Sequence, residues 1–235
     1  MKAIDNETDA DGAAGAVLSS VSEHTRALCE LCLRALPVDG VSVVVRSGGD
    51  HREMVYATDG IITELDDLQF VVGEGPGIDA YIHRLPVLEP DLAAPAAAHR
   101  WPGFAREATQ AGAAAVFAFP LQVGAVPFGV LEMYRTRPGC LDESDLATAV
   151  LLVEDVVRAV LHELTEAHRA PAAASPLFRH DEIPQATGMV AVQLGVPIQE
   201  ALAELRAAAF ARNRSVQSIA EDVVARRLTF ADLDL

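Results

Sequence analysis

Between Leu146 and Leu164 the apolar residues Leu146, Val150, Val153, Val157, Val160 and Leu164 alternate by four and three. That spacing is a heptad stripe along one face of an α-helix. It predicts a helix over 142–167, opened by Asp142, Glu143 and Asp145, whose charge suits the positive end of the helix dipole. Valine is a mediocre helix former, so packing must hold such a helix. Two arrangements do so: the stripe faces the chain's own core, or it also pairs with its copy in a dimer. A second stripe, Val17, Val21, Leu28, Leu31 and Ala35 with His24 in its gap, predicts a helix over 16–36, ended by Pro37 and Gly40. Two such helices per chain favour a homodimer built as a four-helix bundle. The expected interface residues are Val17, Val21, Leu28, Leu146, Val150, Val153, Val157, Val160 and Leu164.

The segment between these helices reads as a sheet with short helices. Val41–Arg46 and Glu53–Thr58 are expected strands around the turn Ser47-Gly48-Gly49-Asp50. Gly73-Glu74-Gly75-Pro76-Gly77 is a glycine-dense turn that either only turns the chain or also lines a pocket. It lacks the Gly-Lys-Ser/Thr ending of a phosphate loop. A short helix is expected over 77–84, a strand over 86–89, a loop over 90–101 and a helix over 102–111. Residues 113–123 and 126–135 form the clearest hairpin, around Gly124-Ala125.

The Ala- and Pro-rich stretch 168–180 is an expected linker. Three short helices follow. The first runs over 182–194, with Pro184 in its first turn and Gly195 past its end. The second runs from Pro197 or Ile198 to about Arg212, with Ala201, Leu202, Leu205, Ala208 and Ala209 on one face. The third follows a Ser215 cap and carries Val216, Ile219, Ala220, Val223 and Val224.

The chain has 18 basic and 34 acidic residues, a net charge of −16. That argues against non-specific attraction to nucleic acid. From Asp181 onward the balance is milder, with five arginines against eight carboxylates. Three cysteines, Cys29, Cys32 and Cys140, do not make a disulfide framework. Cys29-Glu30-Leu31-Cys32 has no second pair for zinc, and no two of the seven histidines stand at metal-ligand spacing. No serine–histidine–acid set and no carboxylate pair stands in a motif context, so no enzyme is expected. No apolar run is long enough to span a bilayer, and the acidic start, residues 1–15, reads as a disordered tail rather than a signal peptide. A cytoplasmic protein is expected.

The C-terminal residues Gln185-Ala186-Thr187-Gly188-Met189, Leu194-Gly195-Val196, Glu200-Ala201, Leu205-Arg206, Ala208-Ala209, Asn213-Arg214 and Ser218-Ile219-Ala220-Glu221 resemble the ANTAR domain, an RNA-binding module of bacterial antiterminators. Gly73-Glu74-Gly75-Pro76-Gly77-Ile78-Asp79-Ala80, followed by Arg84-Leu85-Pro86-Val87, resembles a GAF domain, as does the order of elements. The arrangement looks actinobacterial. The resemblance implies an α+β fold: a GAF-like antiparallel sheet flanked by helices over 16–167, then an all-α three-helix ANTAR domain over 181–230.

It also implies an antitermination regulator that binds RNA stem-loops in nascent transcripts, with a GAF sensor controlling a dimeric output. DNA and membranes are not expected partners. No cofactor is expected, with an unidentified small molecule in the GAF-like domain left open. The first ANTAR-like helix has no basic residue, where many ANTAR domains carry Lys or Arg at the position of Thr187. The expected RNA contacts are therefore Gln185, Thr187, Gly188, Gln193, Arg206, Arg212, Asn213 and Arg214, with Arg226 and Arg227 as further phosphate candidates. Arg206 reads equally well as a phosphate contact or as a solvated arginine or ion-pair partner. The alternative function is a ligand-binding or dimerisation regulator whose tail binds protein rather than RNA.

Overall fold

The computed structural model describes residues 23–47, 51–169, 182–212, 214 and 216–230. The expected tail 1–15 and most of the expected linker 168–180 lie outside these residues, as do Val17, Val21 and Asn213.

Strands β1 (Gly40–Ser47), β2 (His51–Ala57), β3 (Val87–Glu89), β4 (Ala115–Val123) and β5 (Val126–Arg135) form one sheet in the order β2-β1-β5-β4-β3, antiparallel throughout. The β4–β5 hairpin turns at Gly124, whose φ of 58° suits glycine. Period-two alternation sorts β4 onto two cores. Ala115, Phe117, Phe119 and Leu121 point to one side, where α1 (Glu23–Ala35) and α6 (Glu143–Arg169) cover the sheet. Val116 and Ala118 point to the other, toward α2 (Gly60–Val72), α3 (Pro76–His83), α4 (Pro95–Arg100) and α5 (Ala105–Gln110). With both faces covered, the α+β sandwich buries β4 from Ala115 through Leu121.

Helix α2 is not among the expected elements, because its end, Phe70-Val71-Val72, reads as part of the glycine turn. Its start is fixed by the Asp59 carboxylate, which accepts the Ile62 N–H at 3.0 Å, and its end by Gly73 in the left-handed region. Helix α4 lies in the expected loop 90–101.

The long helix α6 is present, but its stripe is out of phase with the expected dimer seam. The residues buried against the sheet are Ala149, Leu152, Val156, Ala159 and Val160. Leu146, Val153, Val157 and Leu164 flank them, half-buried against the same core. Val150 is 45% exposed and its neighbour Leu151 64% exposed. On α1 the core side is Thr25, Leu28, Cys29 and Cys32, while Leu31 is exposed. Leu28 and Val160, placed at a dimer seam from sequence, therefore sit in the subunit's own core. A heptad stripe cannot distinguish these arrangements, because a helix lying on a sheet buries a broader face than two a/d rows. Thr25 Oγ1 donates to Glu163 Oε1 at 2.5 Å and ties α1 to α6.

The C-terminal helices are α7 (Glu182–Leu194), α8 (Ile198–Ala211) and α9 (Val216–Val224). Their buried faces hold the expected residues: Ala201, Leu202, Leu205, Ala208 and Ala209 on α8, with Val216, Ile219, Ala220 and Val223 on α9. Gly195 ends α7 at φ 68°. The chain then folds back, burying Phe230, whose N–H donates to Gln193 Oε1 at 2.8 Å. Among the described residues no helix is long and apolar enough to cross a membrane.

Candidate functional site

The three-helix domain presents its expected RNA residues in two places. Gln185, Gly188 and Gln193 line an open groove of about 550 Å³ with Met189, Val192, Arg226 and Thr229. Gln185 is exposed, and Arg226 stands at the groove in a left-handed turn, φ 58°. Arg226, named from sequence only as a phosphate candidate, lines the same groove as the amides of Gln185 and Gln193. Its local signal was the Arg226-Arg227 pair just past the last apolar stripe. The second place is the turn between α8 and α9. Arg212 and Arg214 are exposed there, and Arg214 Nη2 pairs with Asp222 at 2.7 Å and with Ser218 Oγ at 2.6 Å. Arg227 shares Asp222 at 2.6 Å, and both arginines hold that carboxyl below its ordinary range.

Thr187 is a correction. It is buried, and its hydroxyl donates to the Ile183 carbonyl one turn back at 2.7 Å. A satisfied, covered hydroxyl cannot read a base. Arg206 is half-buried. Its guanidinium lies 4.8 Å from the centroid of Phe70 on α2, so it faces the sheet domain.

The glycine run divides its work. Gly73 ends α2, and Gly75, at φ 141°, precedes α3. Between them Glu74 Oε1 accepts the N–H groups of Gly103 at 2.5 Å and Phe104 at 3.1 Å. Asp79 accepts from Trp101 Nε1 at 3.1 Å and pairs with Arg100 at 2.8 Å. Gly77 packs against a buried polar pair. Its N–H donates to Gln69 Oε1 at 2.7 Å, and Gln69 Nε2 donates to both Glu132 oxygens at 2.8 and 2.9 Å. Ser42, Val44, Arg46, Asp66 and Val130 complete the walls of a cavity of only about 10 Å³, room for one water. Burial pushes the Glu132 carboxyl up to about 7, against the opposing pull of the Gln69 amide, the Arg46 charge and the Gly77 N–H.

The family model of the GAF domain matches residues 18–161, and that of the ANTAR domain matches residues 177–224. The chain belongs to the GAF family and carries a C-terminal ANTAR domain. The sheet domain is similar to solved structures. One is a domain of a putative two-component sensor histidine kinase from Sinorhizobium meliloti 1021, at 20% identity and TM-score 0.51, covering 64% of this chain and 98% of that one. Another is the photoproduct state of GAF3 from Slr1393 of Synechocystis sp. PCC6803, at 15% identity and TM-score 0.50, covering 63% and 98%. At these identities the likeness carries the fold alone. No curated protein matches the chain.

Within the GAF domain, Gln69 and Glu132 occupy the space between sheet and helices. Cys29 and Cys32 are fully buried on α1, and burial raises both thiols, Cys32 to about 11. Both are therefore packing residues in this state. Among the described residues no cluster of His, Cys, Asp or Glu is arranged to hold a metal ion. GAF and ANTAR are sensory and regulatory domains, so the chain is built as a regulator.

Proposed function

We propose that the chain is an RNA-binding antitermination regulator of the cytoplasm, in which a GAF domain controls a dimeric ANTAR output. The observation that carries the reading is the groove on α7, which sets Gln185 and Gln193 beside Arg226 within and just past the ANTAR match. Side-chain amides can bond the edges of an unstacked loop base, and an adjacent arginine can stack or reach phosphate. Arg212 and Arg214 extend the cationic surface at the next turn. So few cations imply weak binding by one domain, and two linked copies raise the effective affinity through a tandem RNA. The seam between copies uses the exposed apolar positions Leu31, Val150 and Leu151 on α1 and α6. A small molecule entering the GAF cavity has to displace the Gln69–Glu132 pair.

An electrophoretic mobility assay with an RNA of two hexaloop hairpins tests the reading. A shift at low salt that weakens in Arg226→Ala supports it, and the absence of any shift sinks it. A second reading, a tail that binds protein, is favoured by the exposed Val192, Ile198 and Phe210. Under that reading Val192→Asp abolishes regulation while RNA binding is absent.

A further inference from the structure

We propose that α2 transmits the state of the GAF cavity to the core of the ANTAR domain, with Gln69 at the cavity and Phe70 in that core. The proposal rests on the reading above only in that the GAF domain controls the ANTAR domain. Its basis is that α2 belongs to two cores at once. Ile62 and Leu65 are buried in a core of the GAF sheet. Phe70, 2% exposed, is buried instead in the ANTAR cluster with Ala201, Leu202 and Leu205. Val71 packs against the same cluster. A helix of the sensor thus completes the core of the output domain.

The cavity end of α2 is Asp66 and Gln69, both buried and one turn apart, which line the polar cavity with Glu132. The Gln69 side chain has no room to swing aside. A Cβ at Gly75 would lie 2.4 Å from its Cγ, and one at Gly77 3.1 Å from its Oε1. Both ends of its amide are bonded, to the Gly77 N–H and to the Glu132 carboxyl. A group larger than one water that enters this cavity therefore pushes on the backbone of α2, because a close-packed interior passes strain on. Two links lead from there to the same ring. Gln69 is joined to Phe70 by one peptide bond. Asp66 pairs with Arg52, which Asp67 also holds at 2.6 Å, and the Arg52 guanidinium lies 4.3 Å from the Phe70 centroid.

The receiving end is sensitive to that ring. Ala201, Ala208, Ala209 and Ala220 are buried contacts of the three-helix core, so little of its apolar area comes from large side chains. A core this small is marginal by itself, and one aromatic ring is a large share of it. A shift of α2 that withdraws Phe70 loosens α8, while leaving every residue of the RNA groove unchanged in identity. Coupling of this kind runs through contiguous packed side chains and a rigid helix. It is reciprocal, so a change in the ANTAR core is felt at the GAF cavity by the same factor.

The test is amide hydrogen exchange of the full chain without RNA, so its failure leaves the RNA reading standing. Gly77→Ala puts a methyl group against Gln69 and Glu132, as an occupant of the cavity would. It should speed exchange of the protected amides of α8, residues 198–211, by about tenfold. In a Phe70→Ala background α8 should already exchange faster, and Gly77→Ala should add nothing. Val156→Ala, which opens the core on the other side of the sheet, should leave α8 unchanged. Unchanged exchange of α8 in Gly77→Ala overturns the proposal. So does an equal gain in the Phe70→Ala background, or an equal gain from Val156→Ala. Should Gly77→Ala or Phe70→Ala fail to fold, Leu202→Ala reads the coupling in reverse. It should speed exchange across residues 60–72, and unchanged exchange there overturns the proposal equally.

Discussion

Replacing Glu132 by Gln should flatten the dependence of GAF-domain stability on pH. The wild-type carboxyl is buried and titrates at about 7 in the fold, against 4.5 ordinarily. The folded state therefore binds a proton that the unfolded chain has already released between those values. Stability from this group is fully present below pH 4.5 and is lost as pH rises through 7. The whole effect is about 3 kcal/mol at 1.36 kcal/mol for each tenfold change in proton affinity, and about 2 kcal/mol of it falls between pH 5.5 and 8. For a domain of this size that is a fall in Tm of roughly 4–8 °C. The carboxyls of Asp39, Asp142 and Asp222 are shifted downward instead, so their contributions change only in more acid solution. The amide introduced by Glu132→Gln keeps an oxygen for Gln69 Nε2 and carries no charge at any pH. The protein has a single tryptophan, Trp101, and it is buried in the GAF core, so its emission reports unfolding of that domain alone. Thermal melts followed at Trp101 across pH 5.5–8 should show the wild-type Tm falling and the variant's Tm level. Parallel slopes in the two proteins would refute the account of Glu132.

Gly77→Ala should destabilise the GAF domain by about 1–3 kcal/mol in denaturant melts, because a Cβ there would lie 2.4 Å from Glu132 Oε2 and 3.1 Å from Gln69 Oε1. An unchanged midpoint would show that the polar pair relaxes freely. Thr187→Val, which removes a hydroxyl already bonded within α7, should leave RNA affinity within about twofold, whereas Arg226→Ala should weaken it by about tenfold in the same titration. Val150→Asp combined with Leu151→Asp should give monomers by light scattering with unchanged Trp101 emission. The half-buried Val153 and Val157 touch the subunit's own core, so charge at those positions reports folding rather than assembly.

The parts of the fold legible in the sequence were those fixed by neighbouring residues. The β4–β5 hairpin follows from two β-rich runs around Gly124, and the faces of α8 and α9 follow from their spacing. Helix α2 was missed because Phe70-Val71-Val72 stands beside the glycine run. Asp59, followed by Ile61, Ile62, Leu65 and Leu68 and closed by Gly73, was a complete start, stripe and stop. The stripe on α6 is real, but periodicity gives an apolar face without saying what covers it, and here the chain's own sheet covers most of it; of the described stripe residues on α1 only Leu28 is buried, with Leu31 and Ala35 exposed. At the candidate site, Gln185 and Gln193, expected from sequence as RNA contacts, line one groove. The burial of Thr187 depended on its turn within the helix. The seat of Arg206 depended on Phe70, in the other domain, and no local pattern encodes that pairing.

The central claim is that two copies of this chain bind one tandem RNA. Light scattering of the full chain mixed with an RNA of two hexaloop hairpins at low salt measures it directly. The account predicts a complex with the mass of two chains and one RNA, dissociating as salt rises. No complex, or one chain per RNA with affinity indifferent to salt, would contradict it.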